Sequence, residues 1–398
     1  MPWPDHPQPY AAVAITKHGV ELAWRTAAGL GGVDVYYSEK FDLRVAGGAQ
    51  EGETFSSFRA TPFSGSVREL LQDGFHRYEG WILFISLGAV VRMIAPVLRD
   101  KKTDPAVVVV DDAGRFAISV LSGHLGGANR LAERVAEVLG AEPVITTASD
   151  VGRTIAVDLL GRSFGWTLAD DRHVTPASAA VVNEEPVLVL QEAGERGWWT
   201  RPTPLPPTIH RCDSLEEARG AVAERARQGL PGFGALLLIT DRIWSEEELR
   251  QFAPYWVVYR PKSLILGIGC NRGTPRAEIE EVVEGTLRAK GLAVDSVAAV
   301  ATIDRKKDET GLVALCRDRG WPLIAYTPVE LNEMPMRHPS EMVYRYTGAY
   351  GVSEPAAMRA AGTDRLLVDK IVSGNVTLSV ARKCPDLQNG AVERGAGP

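Results

Sequence analysis

Along the first third of the chain, short apolar runs alternate with segments whose apolar residues recur every three or four positions. Ala11–Ile15, Val33–Tyr37, Trp81–Ser86 and Ala106–Val110 are continuous enough to read as buried strands. Between them, His18–Ala28, Ser66–Tyr78 and Ala89–Leu98 carry helical spacing, which together predicts an open α/β sheet. Asp111-Asp112-Ala113-Gly114 predicts a tight hairpin into a strand over Arg115–Val120. A hairpin pairs its strands antiparallel, so this sheet must be mixed. Leu131, Val135, Val138 and Leu139 then line one face of a helix, and Pro143–Ile145 closes the unit.

The pattern loosens from 146 to 262. It predicts a helix over Asp150–Phe164, a strand over Glu185–Gln191 and a stiff connector over Arg201–Pro207. Ser214 caps a helix carrying Leu215, Ala218, Val222 and Ala226, and Ala235–Ile239 is a strand. A third alternation starts near Ser263. Leu264–Ile268 is a strand, Gly267–Gly273 a turn, and Pro275–Lys290 a helix with Thr274 at the cap and Pro275 at its first position. Ile279, Val282, Val283 and Leu287 form its buried face. Val294–Ala301, a helix near Gly311–Arg319, Leu323–Tyr326 and Val376–Ala381 continue the series. The expected fold is multidomain α/β. It comprises an N-terminal mixed open sheet with helices on both faces (1–145), a small α/β middle domain (146–262), a C-terminal α/β domain (263–384) and a disordered tail (385–398).

Composition narrows the function classes. With 398 residues and a formal net charge of −6, the chain is not expected to bind nucleic acid. It has no apolar run of the roughly 18 residues a membrane span needs, and its start, MPWPDHPQPY, has no signal-peptide pattern. Cys212, Cys270, Cys316 and Cys384 lie far apart, as reduced cytoplasmic thiols do. No histidine, His338 included, has a second ligand at metal spacing, so no protein-bound metal is expected.

Chemistry concentrates in four places. Ser122, Gly123, His124, Gly126, Gly127 and Asn129 form a polar, glycine-rich elbow at a helix start, where backbone N–H groups attract anions. One reading makes it an anion cradle in which His124 moves protons; the other makes it a connector in which Ser122 and Asn129 cap the helix. Ser122 lacks the G-x-S-x-G elbow of a triad nucleophile. Second, Arg92 precedes Arg99-Asp100-Lys101-Lys102-Thr103-Asp104-Pro105. One reading has the cations bind acidic groups and Asp104 orient a base or a water; the other has Arg99, Lys101 and Lys102 meet a helix C-terminal dipole while Asp104-Pro105 starts a turn. Third, Gly267, Gly269 and Gly273 resemble a dinucleotide fingerprint with one residue too many in the last gap. Fourth, the charge-dense turn with Asp304, Lys306 and Lys307 reads either as a solvated face or as a grip on an acidic ligand at a sheet edge.

Gly88-Ala89-Val90-Val91-Arg92, Asp100–Asp111 and Leu121-Ser122-Gly123-His124-Leu125-Gly126-Gly127-Ala128-Asn129 resemble the cobalt-precorrin-5A hydrolase (CbiG) family of cobalamin biosynthesis. Gly267–Gly273, Ala301–Glu309 and Val352–Ala357 resemble that family's carboxy-terminal domain, which also occurs as standalone proteins of the aerobic pathway. The resemblance implies a reaction that opens the ring A δ-lactone of a cobalt-bound tetrapyrrole and releases acetaldehyde. On that chemistry His124 would act as base, with Asp104 as its rival and Ser122 beside them, while Gly126 and Gly127 N–H groups would meet the oxyanion. Arg92, Lys101, Gly123, Asn129, Gly267, Gly269, Gly273, Asp304, Lys306 and Lys307 would contact the polyanionic substrate. Cobalt arrives within the substrate, so the resemblance implies no cofactor. The implied partners are the tetrapyrrole, water and, for hand-over, neighbouring methyltransferases of the pathway; none is expected to be fused to this chain. A carrier that only holds the corrinoid and a nucleotide-dependent enzyme using the Gly267 turn are the competing readings.

Overall fold

The computed structural model describes residues 3–4, 7–41, 58–124, 126–147, 152, 154–336 and 339–384. The expected tail and His338 lie outside them. The chain divides into two compact units, Met1–Arg153 and Thr154–Pro398.

The first unit is a seven-stranded sheet in the order β3-β2-β1-β4-β5-β6-β7. Its strands are β1 Tyr10–Ala14, β2 Val33–Ser38, β3 Arg59–Phe63, β4 Gly80–Phe84, β5 Ala106–Val110, β6 Phe116–Leu121 and β7 Glu142–Val144. β1 to β5 run parallel, and β6 turns back antiparallel on β5, as the hairpin predicts. The turn works because Asp111 accepts the Arg115 and Phe116 amides at 2.8 and 2.7 Å, while Gly114 takes φ 65°. β7 then pairs parallel to β6. Helices α1 Lys17–Leu30, α2 Val67–Gly74, α3 Leu87–Ile94 and α4 Ala128–Leu139 connect the strands. α1 and α4 pack on one face, burying Val20, Ala23, Leu131 and Val135 against Ala12, Val35 and Val108. α2 and α3 cover the other, burying Leu70, Leu71, Val90 and Ile94 against Val13, Trp81 and Val107. β3 escapes the hydrophobic pattern because it is an edge strand interrupted by Pro62.

The second unit carries two five-stranded sheets. One has the order β10-β9-β11-β12-β8, from β8 Thr167–Leu168, β9 Val187–Gln191, β10 Ile209–Cys212, β11 Ala235–Ile239 and β12 Tyr255–Arg260. Its helices are α5 Val174–Val182, α6 Leu215–Arg227 and α7 Glu246–Arg250. The helix expected over Asp150–Phe164 does not form across its described residues. Val157–Gly161 makes turns and Arg162–Phe164 a single 3₁₀ turn, bracketed by Gly161 and Gly165 at φ 75° and 76°. A Cβ at Gly161 would lie 1.8 Å from the Trp166 ring, so the chain bends tightly around that indole.

The other sheet has the order β15-β14-β13-β17-β16, from β13 Leu264–Cys270, β14 Val297–Ile303, β15 Leu323–Tyr326, β16 Val368–Ser373 and β17 Val376–Arg382. α8 Arg276–Ala289 and α9 Thr310–Arg319 bury Ile279, Val283, Leu312 and Leu315 on one face. α10 Pro328–Asn332, α11 Glu341–Thr347 and α12 Ser353–Ala361 follow, and Leu331 of α10 with Ala356, Ala357 and Ala361 of α12 fill the other face. α8 starts differently from expectation. Pro275 is itself the extended cap residue, and the Thr274 hydroxyl donates to the Asn271 carbonyl at 2.8 Å. Fully buried Asp241, just after β11, ties the two sheets: it accepts from Arg382 Nε at 2.7 Å, Arg382 Nη2 at 2.5 Å and Ser263 Oγ at 2.8 Å. Paired twice to a guanidinium, this carboxylate has the donors that burial of a charge requires.

Candidate functional site

The antiparallel turn of β6 decides where the glycine-rich loop lies. Leu121, its last residue, pairs with Val107 near the start of β5, so the loop sits at the amino ends of β1, β4 and β5. For β6 and β7 that same edge is the carboxyl end, and α4 begins there, as in any βαβ unit. The loop that precedes β5 lies alongside it. Ser122 Oγ donates to the Asp104 carbonyl at 2.9 Å, and the buried Asp104 carboxylate accepts the Arg99 amide at 3.1 and 3.0 Å. Two sequence-distant candidates thus share one edge. Asp104, however, spends its carboxylate on the Arg99 amide of its own loop. Lys101 is exposed on the same loop.

Within 122–129 the backbone closes on itself. Ala128 N–H donates to the Ser122 carbonyl at 3.1 Å, Asn129 N–H to Gly123 at 3.0 Å and Gly127 N–H to His124 at 3.1 Å. Gly127, expected to meet an oxyanion, is therefore engaged inside the loop. The cap of α4 is Gly127 at φ 84°, without a side-chain cap bond, so Ser122 and Asn129 are not the caps. Asn129 is buried and braces the loop instead: its Oδ1 accepts from Ser119 Oγ at 2.7 Å and its Nδ2 donates to Thr147 Oγ1 at 2.8 Å. Ser122 itself holds φ 56°, unusual for a residue with a Cβ. Gly126 and Gly123 leave no room for a side chain; a Cβ would come 2.3 Å from Ser122 Cβ and 2.6 Å from Asn129 Oδ1 respectively. His124 is half-buried. The sequence pattern gave no sign of Ser119 and Thr147, because their role is to hold a side chain from another element.

Arg92 belongs elsewhere. It lies on α3, which begins at the carboxyl end of β4, and its Nη1 donates to the Gly88 carbonyl at 2.7 Å. The structure therefore separates Arg92 from His124 by the length of the sheet.

The Gly267–Gly273 segment also differs from expectation. Gly267 and Gly269 lie inside β13, not in a turn. A Cβ on Gly267 would meet the Ser353 carbonyl at 1.8 Å, and one on Gly269 the Thr377 hydroxyl at 2.6 Å. These glycines admit α12 and a neighbouring strand rather than a ligand. Gly273, at φ 75°, donates its N–H to Glu309 Oε1 at 2.5 Å, and Lys306 Nζ meets the other Glu309 oxygen at 3.0 Å. Burial would raise the Glu309 carboxyl, but the Gly273 amide, Lys306 and Arg272 outweigh it and hold it below its ordinary value. The chain's own carboxylate thus fills the place a phosphate would take. Cys270 is a poor nucleophile there: burial pushes its thiol up, against the pull of Lys306 and with the push of Glu309. Asp304 keeps one buried oxygen without a hydrogen bond, and Lys307 is exposed. Among the described residues no cluster of three or more His, Cys, Asp or Glu could hold a metal, and no helix is long and apolar enough to cross a membrane.

Three family models match in chain order. They are described as Cobalamin synthesis G N-terminal (residues 69–150), Cobalamin biosynthesis central region (155–261) and Cobalamin synthesis G C-terminus (264–381). The Cobalt-precorrin-5A hydrolase of Priestia megaterium is 51% identical over 372 residues, 94% of each chain. That of Salmonella typhimurium is 34% identical over 353 residues, 88% of this chain and 91% of the other. Protein CobE of Sinorhizobium sp is 36% identical over 121 residues, 30% of this chain and 79% of its own. Covered over 94% of its length by one such relative and matched by all three models, the chain belongs to the CbiG family of cobalt-precorrin-5A hydrolases.

Proposed function

We propose that this protein is a cobalt-precorrin-5A hydrolase that opens the ring A δ-lactone, releases acetaldehyde and yields cobalt-precorrin-5B. The observation that carries the reading is the 51% identity sustained over 94% of both chains, in a protein with all three family regions in order. The competing nucleotide reading loses its support once Glu309 occupies the Gly273 amide.

We assign the first step to the 122–127 loop. His124 takes a proton from water as its oxygen bonds to the lactone carbonyl carbon. Gly126 N–H faces the developing oxyanion. As the acyl C–O bond breaks, the imidazolium gives its proton to the departing oxygen and the new carboxylic acid loses its own to solvent, leaving a carboxylate, a hydroxyethyl arm and a neutral imidazole. In the second step the same imidazole takes the arm's hydroxyl proton. The C–C bond to the ring breaks, acetaldehyde leaves, and the electron pair passes into the conjugated, cobalt-bearing ring. Cobalt enters as part of the substrate, so the proposal needs no cofactor from the protein. Lys101 would draw the ring's carboxylates to this edge, with Asp104 and Asn129 holding the two loops in register.

His124→Ala should lower acetaldehyde release from cobalt-precorrin-5A by about 10²–10⁴-fold, the usual worth of a positioned proton-transfer group. Melting temperature should hardly move. An unchanged rate would remove His124 from the mechanism; no acetaldehyde from the unaltered protein would remove the function.

A further inference from the structure

At the carboxyl end of β4, opposite the His124 loop, the sheet opens into a cleft of about 530 Å³ between the starts of α2 and α3. Ser66, Arg68, Ser86, Gly88 and Arg92 are among its lining, and among the described residues no acidic one is. Several arginines elsewhere meet carboxylates, such as Arg115 with Asp111, Arg172 with Glu246, Arg276 with Asp318, Arg319 with Glu280 and Arg382 with Asp241. Arg134, Arg225 and Arg305 bond single carbonyls instead and do not line this cleft. Arg68 and Arg92 have no such partner among the described residues; Arg92 rests only on the Gly88 carbonyl. Two unneutralised guanidinium groups on one concave surface, in a chain of net charge −6, are a binding arrangement for carboxylates.

Three details shape the ligand. Ser86 occupies the cap position of α3, yet its hydroxyl makes no cap bond and remains exposed in the cleft. Gly88 lets the Arg92 guanidinium lie against the first turn, since a Cβ would come within 3.3 Å of Nη1. Beside the cleft, Leu87 and Val91 stand one helical turn apart and are 39% and 48% exposed. Cations and hydroxyls next to an apolar strip suit a flat apolar molecule edged with carboxylates.

We infer that this cleft binds the carboxylate arms of a tetrapyrrole, gripped by Arg68, Arg92 and Ser86, with the ring edge against Leu87 and Val91. The identity of the ring rests on the hydrolase reading; the carboxylate site rests on the arginines. Five-residue β4 puts the two edges about 17 Å apart, and helices cover both sheet faces. A ring docked here is therefore not the ring whose lactone meets His124. The cleft is a separate docking position.

The test uses the full chain and uroporphyrin, a cyclic tetrapyrrole octacarboxylate, against its octamethyl ester, in a fluorescence titration. The unaltered protein should bind the acid at two sites and the ester at least tenfold more weakly. The double variant Arg68→Gln/Arg92→Gln should lose one site, with its melting temperature unchanged because both side chains are exposed. Arg68→Lys/Arg92→Lys should keep that site at reduced affinity. A double glutamine variant that keeps both sites, or equal binding of acid and ester, would overturn the inference. A single site in the unaltered protein, lost in the glutamine variant, would keep the cleft but overturn its separation from the reacting position. Acetaldehyde release by the unaltered protein reads the hydrolase proposal alone, so failure of the cleft and failure of the function are distinct results.

Discussion

Two glycine-rich segments, 122–127 and 267–273, look alike in the sequence and do opposite work in the fold. Each links a strand to a helix, and each ends on a glycine with positive φ, Gly127 at 84° and Gly273 at 75°. In the first, missing side chains let a loop fold tightly on itself: Gly126 stacks on Ser122 and Gly123 on Asn129. In the second, they let other elements approach, with Gly267 against Ser353 and Gly269 against Thr377. The amides differ too. The Gly127 N–H goes to a neighbouring carbonyl, whereas the Gly273 N–H goes to a carboxylate from α9's cap residue, Glu309. A glycine string therefore signals close approach, and only the fold says of what.

Alanine at matched positions should break this pairing most sharply. Gly267→Ala puts a methyl 1.8 Å from the Ser353 carbonyl and 2.8 Å from Ala357 Cβ, inside a core where neither backbone can yield. The expected loss is about 3 kcal/mol, the upper end for overpacking, or about 6–12 °C in melting temperature for a unit this size. Gly126→Ala also clashes, 2.3 Å from Ser122 Cβ and 2.9 Å from the Ser122 carbonyl, but in a half-buried loop outside the core, which can shift as a whole. It should move the melting temperature little while cutting acetaldehyde release at least about tenfold, because misplaced donors forfeit oxyanion stabilisation. Calorimetry and an aldehyde assay on both variants check the contrast; the same response from both would erase it.

Glu309→Gln sharpens the comparison at the second turn. The amide keeps an acceptor for Gly273 N–H but gives up the charge facing Lys306. A loss of about 1–2 kcal/mol is expected at pH 7, as for a hydrogen bond to a charged group. Because the folded carboxyl is held below its ordinary value, the stabilisation is complete above the unfolded-chain value of about 4.3 and fades as pH falls through the folded one. The gap in melting temperature between the two proteins should thus be full at pH 7 and close below about pH 4. A gap constant down to pH 3 would mean that charge plays no part in filling this turn.

How far the sequence could be read differs by element. β5 and β11 coincide with their apolar runs because fully buried strands must be apolar on both faces, and β15, half-buried at its sheet edge, coincides with its short run as well. β8 and β10 are too short, and β3 too near the edge, for a period of two to emerge. Tyr255–Arg260 carries strand-forming side chains throughout, but α7 before it has only five residues, too few for a helical period to frame it. In the candidate site, the glycines and His124 were legible as a loop. So was the separation of Arg92 in principle, since a hairpin at Asp111–Gly114 already sends β6 back to the amino edge. What no spacing could carry was the company each group keeps: Asp104 with the Arg99 amide, Asn129 with Thr147, Glu309 with Gly273. Those pairs depend on elements meeting in space, and their sequence separations give no period to detect.

The smallest effect concerns Ser122, where the first loop departs from its own glycine logic. At φ 56° a side chain costs roughly 1 kcal/mol relative to glycine. The hydroxyl offsets this by donating to the Asp104 carbonyl at 2.9 Å, a bond worth about 0.5–1.5 kcal/mol. Ser122→Ala keeps the strain and loses the bond, so it should be the less stable variant, by about 1 kcal/mol. Ser122→Gly loses both terms and should melt close to the unaltered protein. If serine is there for the bond alone, glycine should support acetaldehyde release as well as it supports stability. If the hydroxyl also fixes the 99–105 loop beside His124, glycine will melt normally yet release acetaldehyde more slowly. Measuring both quantities on both variants separates a strained residue kept for its hydrogen bond from one kept for the register of two loops.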